Sequence, residues 1–245
     1  MEGRSMRKVL AAVGLMGSLV MGAPSYAAEL GQISGPGATH MWGGFYVGVN
    51  AGYGWGSSEW PQLDKNYSDD GWLAGATGGF NIDSGDWIFG FEMDYDWTGM
   101  SGSQTGYPFY ESPRYYDQRH VSTDLETLGT ARVRAGYDVG DATNPLLLYV
   151  TGGLAFGNVK ASLHETYCDG ETCSTYGGSD RKVQFGWAYG AGAEYAFDDS
   201  WSAKLEYLRV DLRDHTYSIP NVDQPPLDVS VGPIDIVRVG LNYHF

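Results

Sequence analysis

Three carboxylates stand at alternate positions in "WIFGFEMDYDW": Glu92, Asp94 and Asp96. Two guanidiniums do the same in "ARVRAGY", Arg132 and Arg134. Glu126, Glu194 and Glu206 add acids and Lys204 and Arg238 add cations, each in a stretch where apolar and non-apolar residues alternate. Carboxylates held in contrasting environments can divide the acid and base work of a reaction. Interleaved with Arg and Lys, they can instead pair off as a buried ionic core. A third reading is a narrow path for water or protons. A period of two sends the charges of one strand to one face, so the choice rests on what that face encloses.

Two smaller constellations carry other chemistry. His120 and Ser122 lie two apart, with Glu126 further along. Base, nucleophile and carboxylate on one strand can meet only if they point the same way, as these do. The neighbours Tyr115, Tyr116 and Arg119 supply no oxyanion-hole motif, so polar loop residues are the better reading. Cys168 and Cys173, in "YCDGETC", flank an Asp169-Gly170 pair that favours a tight reversal. They read as a disulfide, provided that the compartment is oxidising. A metal site with His164 or Asp169 is the weaker alternative, because structural zinc sites need four ligands at recognisable spacing.

The N-terminus speaks to the compartment. "MRKVLAAVGLMGSLVMGAPSYAAEL" has basic Arg7 and Lys8, an apolar core from Val9 to Met21, and a small-residue site ending at Ala27 before Ala28. That is the pattern of a secretory signal peptide over residues 1–27. Its core is too short to span a bilayer as a helix. Glu2 is odd in such a leader, which makes Met6 an alternative start. The formal net charge is −15, and removal of the leader makes the chain more acidic still. Such a surface excludes nucleic acid as a partner. No cofactor is expected.

From Trp42 onward, after a polar tail over 28–41, period-two segments predict eight strands. They are "FYVGVNAGYGW", "WLAGATGGFNI", "WIFGFEMDYDW", "LETLGTARVRAGY", "LLLYVTGGLAFG", "VQFGWAYGAGAEYAF", "WSAKLEYLRV" and "IVRVGLNYHF". Short connections (83–86, 138–145, 198–200) alternate with long ones (56–71, 98–124, 158–182, 211–232). One face of each strand is broad, apolar and tipped with Trp and Tyr; the other is Gly plus charge. In a soluble barrel the apolar face points inward. Here the apolar face is outside, as in lipid. The predicted fold is all-β: an eight-stranded antiparallel up-and-down transmembrane β-barrel over 42–245, in the outer membrane with its long loops extracellular. Closure pairs the last strand with the first, because open edges are forbidden in hydrocarbon. Eight strands leave an interior that side chains can fill, so Glu92, Asp94, Asp96, Glu126, Arg132, Arg134, Glu194, Lys204, Glu206 and Arg238 are expected to plug it as ion pairs.

The segments "MWGGFYVGVNAGYGWG", "ETLGTARVRAGY", "LLYVTGGLAFG", "FGWAYGAGAEYAFDDSWSAKLEYLRVDL" and "VRVGLNYHF" resemble the porin-like outer-membrane β-barrel family of alphaproteobacteria. That family includes outer-membrane immunogenic proteins and some haem-binding surface proteins. The resemblance implies a surface-exposed envelope protein and not an enzyme. It also implies that the terminal strand, with Val239, Leu241, Tyr243 and Phe245 on one face, is read by the barrel-assembly machinery. A small-solute channel is one alternative. Haem or host-ligand capture, with His164, His215 or loop tyrosines, is the other. Lys160, Arg181, Lys182, Arg209 and Arg213 fall at the long-loop ends of neighbouring strands, where they are expected to meet lipopolysaccharide phosphates. Membrane lipid is the remaining expected partner.

Overall fold

The computed structural model describes residues 42–60, 65–105, 115–140, 144–169, 172–213, 215–217 and 227–245. The leader over 1–27, its Ala27/Ala28 cleavage site and the tail over 28–41 lie outside the described residues. The strands are β1 (Gly44–Trp60), β2 (Lys65–Ser84), β3 (Trp87–Thr105), β4 (Tyr115–Asp138), β5 (Leu146–Asp169), β6 (Thr172–Ala196), β7 (Trp201–Leu212), β8 (His215–Tyr217), β9 (Leu227–Val231) and β10 (Ile234–His244). Strands β1–β7 and β10 pair antiparallel, each with its neighbour in sequence apart from the small β8/β9 pair, and β10 returns to β1. Tyr46 faces His244 and Trp55 faces Asp235 across that seam, which closes the ring. The Phe245 amide donates to the Phe45 carbonyl at 3.0 Å.

Two short ends are held by visible turn chemistry. Gly85 takes a φ of 73°, which the tight reversal between Ser84 and Trp87 requires. The Asp198 carboxylate accepts from the Ser200 and Trp201 amides, both at 2.8 Å. The outside is apolar, with Val49, Trp72, Trp97, Val133, Val150, Phe185, Leu205 and Val239 all exposed. Aromatic residues mark its two levels. At the lower one Trp87 packs on Tyr137 and Trp201 on Tyr243, with centroids 5.2 and 5.1 Å apart. At the upper one Tyr95 meets Trp97 at 5.6 Å. The ten residue-to-residue steps from Trp87 to Trp97, at about 3.3 Å each and tilted about 40°, rise about 25 Å, the height of an outer-membrane apolar band.

The strands run well beyond that band, so most of what the alternation leaves as long loops is further strand. β4 and β5 stay paired from Tyr115↔Asp169 down to Asp138↔Leu147, and β5 and β6 down from Asp169↔Thr172. Above the lipid the solvent outside is water, and the apolar residues turn inward. Val121, Leu125, Val159, Ala161 and Leu163 are all buried there. On β4 one extra residue makes the switch: the register slips between Leu125 and Thr127. Even positions face inward below that bulge and odd positions above it, as one inserted residue requires. On β3 the slip spans two residues between Trp97 and Met100, so its alternation continues unchanged.

Candidate functional site

The barrel interior is filled in three layers. The floor is Trp42, Ile88, Leu147, Tyr149 and Ala196, a buried apolar cluster at the short-turn end. Trp42 is fixed there by its indole N–H donating to Asp138 at 3.0 Å and by Asn81 donating to its carbonyl at 2.9 Å. The roof is an apolar cluster that includes Leu73, Met100, Leu125, Leu128, Val159, Leu208, Val210, Leu212, Ile234 and Ile236.

Between them lies an ionic lattice contributed by β3, β4, β6, β7 and β10. Arg132 Nη2 contacts Glu92 at 2.5 Å and Asp94 at 2.6 Å, and its Nη1 reaches Glu206 at 3.2 Å. Arg238 Nη2 meets Glu206 at 2.5 Å and Asp94 at 3.0 Å, and its Nη1 meets Asp96 at 3.3 Å. Arg134 Nη2 meets Glu194 at 2.7 Å, and Lys204 Nζ meets Glu92 at 2.8 Å. All nine side chains are at most 2% exposed. Neutral groups occupy remaining lone pairs. Tyr46 donates to Glu92 at 2.8 Å, Tyr149 to Glu206 at 3.0 Å, Thr77 and Thr130 to Asp94 at 2.7 and 2.9 Å, and Asn242 to Glu194 at 2.7 Å. The Arg134 guanidinium also stacks 4.1 Å from the Tyr149 ring centroid. Glycines make the room. A Cβ at Gly52 would lie 2.6 Å from Arg238 Cβ, and one at Gly75 only 2.2 Å from Asp96 Oδ1.

The structure thus gathers nine of the ten charges expected inside, with Glu92 shared by cations on three strands. Glu126 is the exception. It sits at the β4 bulge, which turns it to the outer surface, where it accepts from Arg181 at 2.9 Å and Asn158 at 3.2 Å. A single alternation drawn through 125–137 cannot see the inserted residue. Tyr46, Thr77, Thr130, Tyr149, Ser202 and Asn242 were not singled out from sequence. Their inward parity was visible, but nothing in it distinguishes a partner of a carboxylate from any small polar residue.

One buried trio has catalytic residue types. Ser202 Oγ lies 3.0 Å from His244 Nε2 and donates to Glu194 at 2.6 Å. The carboxylate approaches that same Nε2, at 3.6 Å, while Nδ1 makes no hydrogen bond. In a Ser-His-acid triad the acid orients the imidazole through its other nitrogen, so this trio is wired as part of the plug. Among the described residues of the earlier trio, His120 and Ser122 lie on the outer side of β4, and Glu126 is engaged by Arg181.

Cys168 and Cys173 are joined by a disulfide and are direct cross-strand partners at the end of the β5/β6 hairpin. Of the basic rim residues, Arg181 faces out beside Lys160, its register partner. Lys182 turns inward instead, with Nζ 5.4 Å from the Tyr217 ring centroid. Arg209 pairs with Asp235 at 3.1 Å and stands opposite Tyr189, eight positions along β6 from Arg181. The Arg213 amide donates to the Phe185 carbonyl at 3.0 Å. The five cations therefore spread over different heights and both faces. Val239, Leu241, Tyr243 and Phe245 line the outer face of the closing strand.

Residues 14–245 match the family model described as an outer membrane protein beta-barrel domain. The 31 kDa outer-membrane immunogenic protein of Brucella melitensis is 35% identical over 222 residues, covering 84% of this chain and 85% of that protein. The 22 kDa outer membrane protein of Rhizobium leguminosarum bv. viciae is 28% identical over 178 residues, covering 73% and 68%. Among solved structures, the outer membrane protein OprG from Pseudomonas aeruginosa aligns with a TM-score of 0.48 at 14% identity, over 83% of this chain and 96% of that one.

Proposed function

The chain belongs to the outer membrane protein beta-barrel domain family, and on that footing we propose that it is a surface-exposed envelope barrel whose filled interior serves stability and not passage. The observation that supports this reading is the lattice itself. Four cations and five carboxylates meet at 2.5–3.3 Å between an apolar floor and an apolar roof. A hydrated pore keeps its charges apart and wet, whereas buried charges persist only when paired and hydrogen-bonded. The protein is read as non-catalytic, because Ser202, His244 and Glu194 lack the relay geometry and a route for substrate to reach a fully buried hydroxyl. Osmotic swelling tests the reading: proteoliposomes carrying the barrel should swell in small sugars no faster than protein-free liposomes. Faster swelling, at a rate that scales with protein content, would contradict it.

The same proposal covers three further points. Residues 1–27 act as the export signal, which the mature N-terminal mass would check at Ala28. The outer face of β10, from Val239 to Phe245, serves as the recognition strand of the assembly machinery. Outer-leaflet lipopolysaccharide is the lipid partner of Lys160 and Arg181, the outward neighbours above the band. Their double replacement by Gln should lower co-purified lipopolysaccharide, and unchanged bound lipid would count against that contact.

A further inference from the structure

Above the lipid band, β4 and β5 bring His120 and His164 directly opposite each other. Both are exposed. Directly opposed residues of an antiparallel pair share a face with Cβ atoms about 5 Å apart. That spacing lets two imidazoles converge on one ion at about 2.0–2.1 Å each. We propose that His120 and His164 form a surface chelate for a divalent transition-metal ion.

Two features of the surroundings fit that role. Thr105 Oγ1 lies 3.0 Å from His120 Nδ1. With Nδ1–H donating to the threonine oxygen, Nε2 keeps its lone pair for the ion, the supporting arrangement that metal-ligating histidines use. On the other side of His164 the register partner is Gly177, at a φ of 150°. A Cβ there would lie 2.2 Å from the Leu163 carbonyl oxygen, so glycine is required and the flank of His164 stays open. Water or an external ligand can take the remaining coordination positions.

The donor set fixes the class of ion. Two neutral nitrogens suit Cu²⁺, Ni²⁺ and Zn²⁺, whereas Mg²⁺ and Ca²⁺ need oxygen donors. Cys168 and Cys173, further along the same hairpin, are tied up as a disulfide and offer no thiolate. The two imidazoles stand side by side, so they occupy adjacent positions on an ion and cannot grip one haem iron from both faces. The net charge of −15 concentrates cations around the whole molecule. Loading also clips β4 to β5 above the membrane, and an ion that binds only the paired strands holds them together.

The test uses tag-free, full-length protein refolded in detergent and titrated calorimetrically with Cu²⁺, Ni²⁺, Zn²⁺ and Mg²⁺ at neutral pH. One site per barrel is expected, tightest for Cu²⁺, weaker for Ni²⁺ and Zn²⁺, and silent for Mg²⁺. His120→Ala and His164→Ala should each weaken binding by more than about tenfold, and Thr105→Val by about tenfold, the usual cost of a lost supporting hydrogen bond. His215→Ala should leave the titration unchanged. Metal should also slow proteolysis of the β4/β5 extension in the wild type and not in His164→Ala. Wild-type affinity in both histidine variants would overturn the proposal, as would a wild type that takes up no Cu²⁺ or a site that His215→Ala removes.

Discussion

Arg132 and Arg209 are both arginines paired with carboxylates, yet their burial makes them different objects. Arg132 is fully buried and touches Glu92, Asp94 and Glu206, whereas Arg209 is 39% exposed and holds only Asp235. Truncating a buried partner strands charges that cannot reach water, which costs about 3–5 kcal/mol. An exposed pair is worth about 0–1 kcal/mol. Arg132→Ala and Arg134→Ala should therefore lower the heat-modifiable gel transition in detergent by many degrees, and Arg209→Ala should barely move it. Equal shifts for Arg132→Ala and Arg209→Ala would mean that the lattice is wet. Asp69 behaves differently again. It sits in the roof beside Met100, Leu125 and Val159, around a cavity of about 10 Å³, room for about one water. Ser58 donates to its Oδ2, while Oδ1 has no partner. Burial pushes its carboxyl up to about 6, against the Ser58 hydrogen bond and with help from Asp124 and Asp70. A carboxyl raised on folding favours the folded state when protonated. Its contribution is complete below the ordinary value of 3.8 and is lost as the pH rises through about 6. Between pH 4 and 7, Asp69→Asn should flatten the fall in stability by on the order of 2 kcal/mol. Parallel pH profiles for the variant and the wild type would contradict that assignment.

The strands show which features the sequence could carry. Alternation located all eight wall strands, because every residue facing lipid must be apolar and every inward residue must fit a narrow lumen. It could not set where they end. Once β4 leaves the membrane the outer solvent changes from hydrocarbon to water, and the rule that placed Val133 outside places Val121 inside. The bulge at Glu126 effects that inversion with one residue, which a periodicity count reads as continuous strand. That is also why Glu126 was expected in the lumen. Lys204 shows a subtler limit. Glu206 is the carboxylate two positions along its own strand, but the Lys204 amine reaches across the barrel to Glu92 at 2.8 Å. Pairing across a lumen depends on strand stagger, which no single strand encodes. The bulge can be tested directly. Deleting Glu126 would remove the inserted residue and leave Thr127 outward, with Leu125, now its neighbour, and Val121 still inward, in step with the unbroken alternation of β5 opposite. The shortened strand should insert with both halves resistant to protease. Digestion of the upper half alone would show that the roof depends on the bulge itself and not only on which residues face inward.

At the scale of the whole molecule, the layers make one statement about transport. The floor around Trp42, the lattice around Arg132 and Arg238, and the roof around Leu125 and Ile234 each close the same axis. A solute would have to separate several charge pairs and displace two apolar clusters, and the small-channel alternative requires that at rest. The 31 kDa outer-membrane immunogenic relative is similar along 84% of the chain. The most direct test of the closed interior is single-channel recording of monomeric, folded protein in planar bilayers. Traces without steady conductance steps above the lipid baseline, for the wild type across the pH range in which it stays folded, are the predicted result. Stable, well-resolved channels whose ion selectivity changes in Arg132→Ala, with little loss of thermal stability, would contradict it.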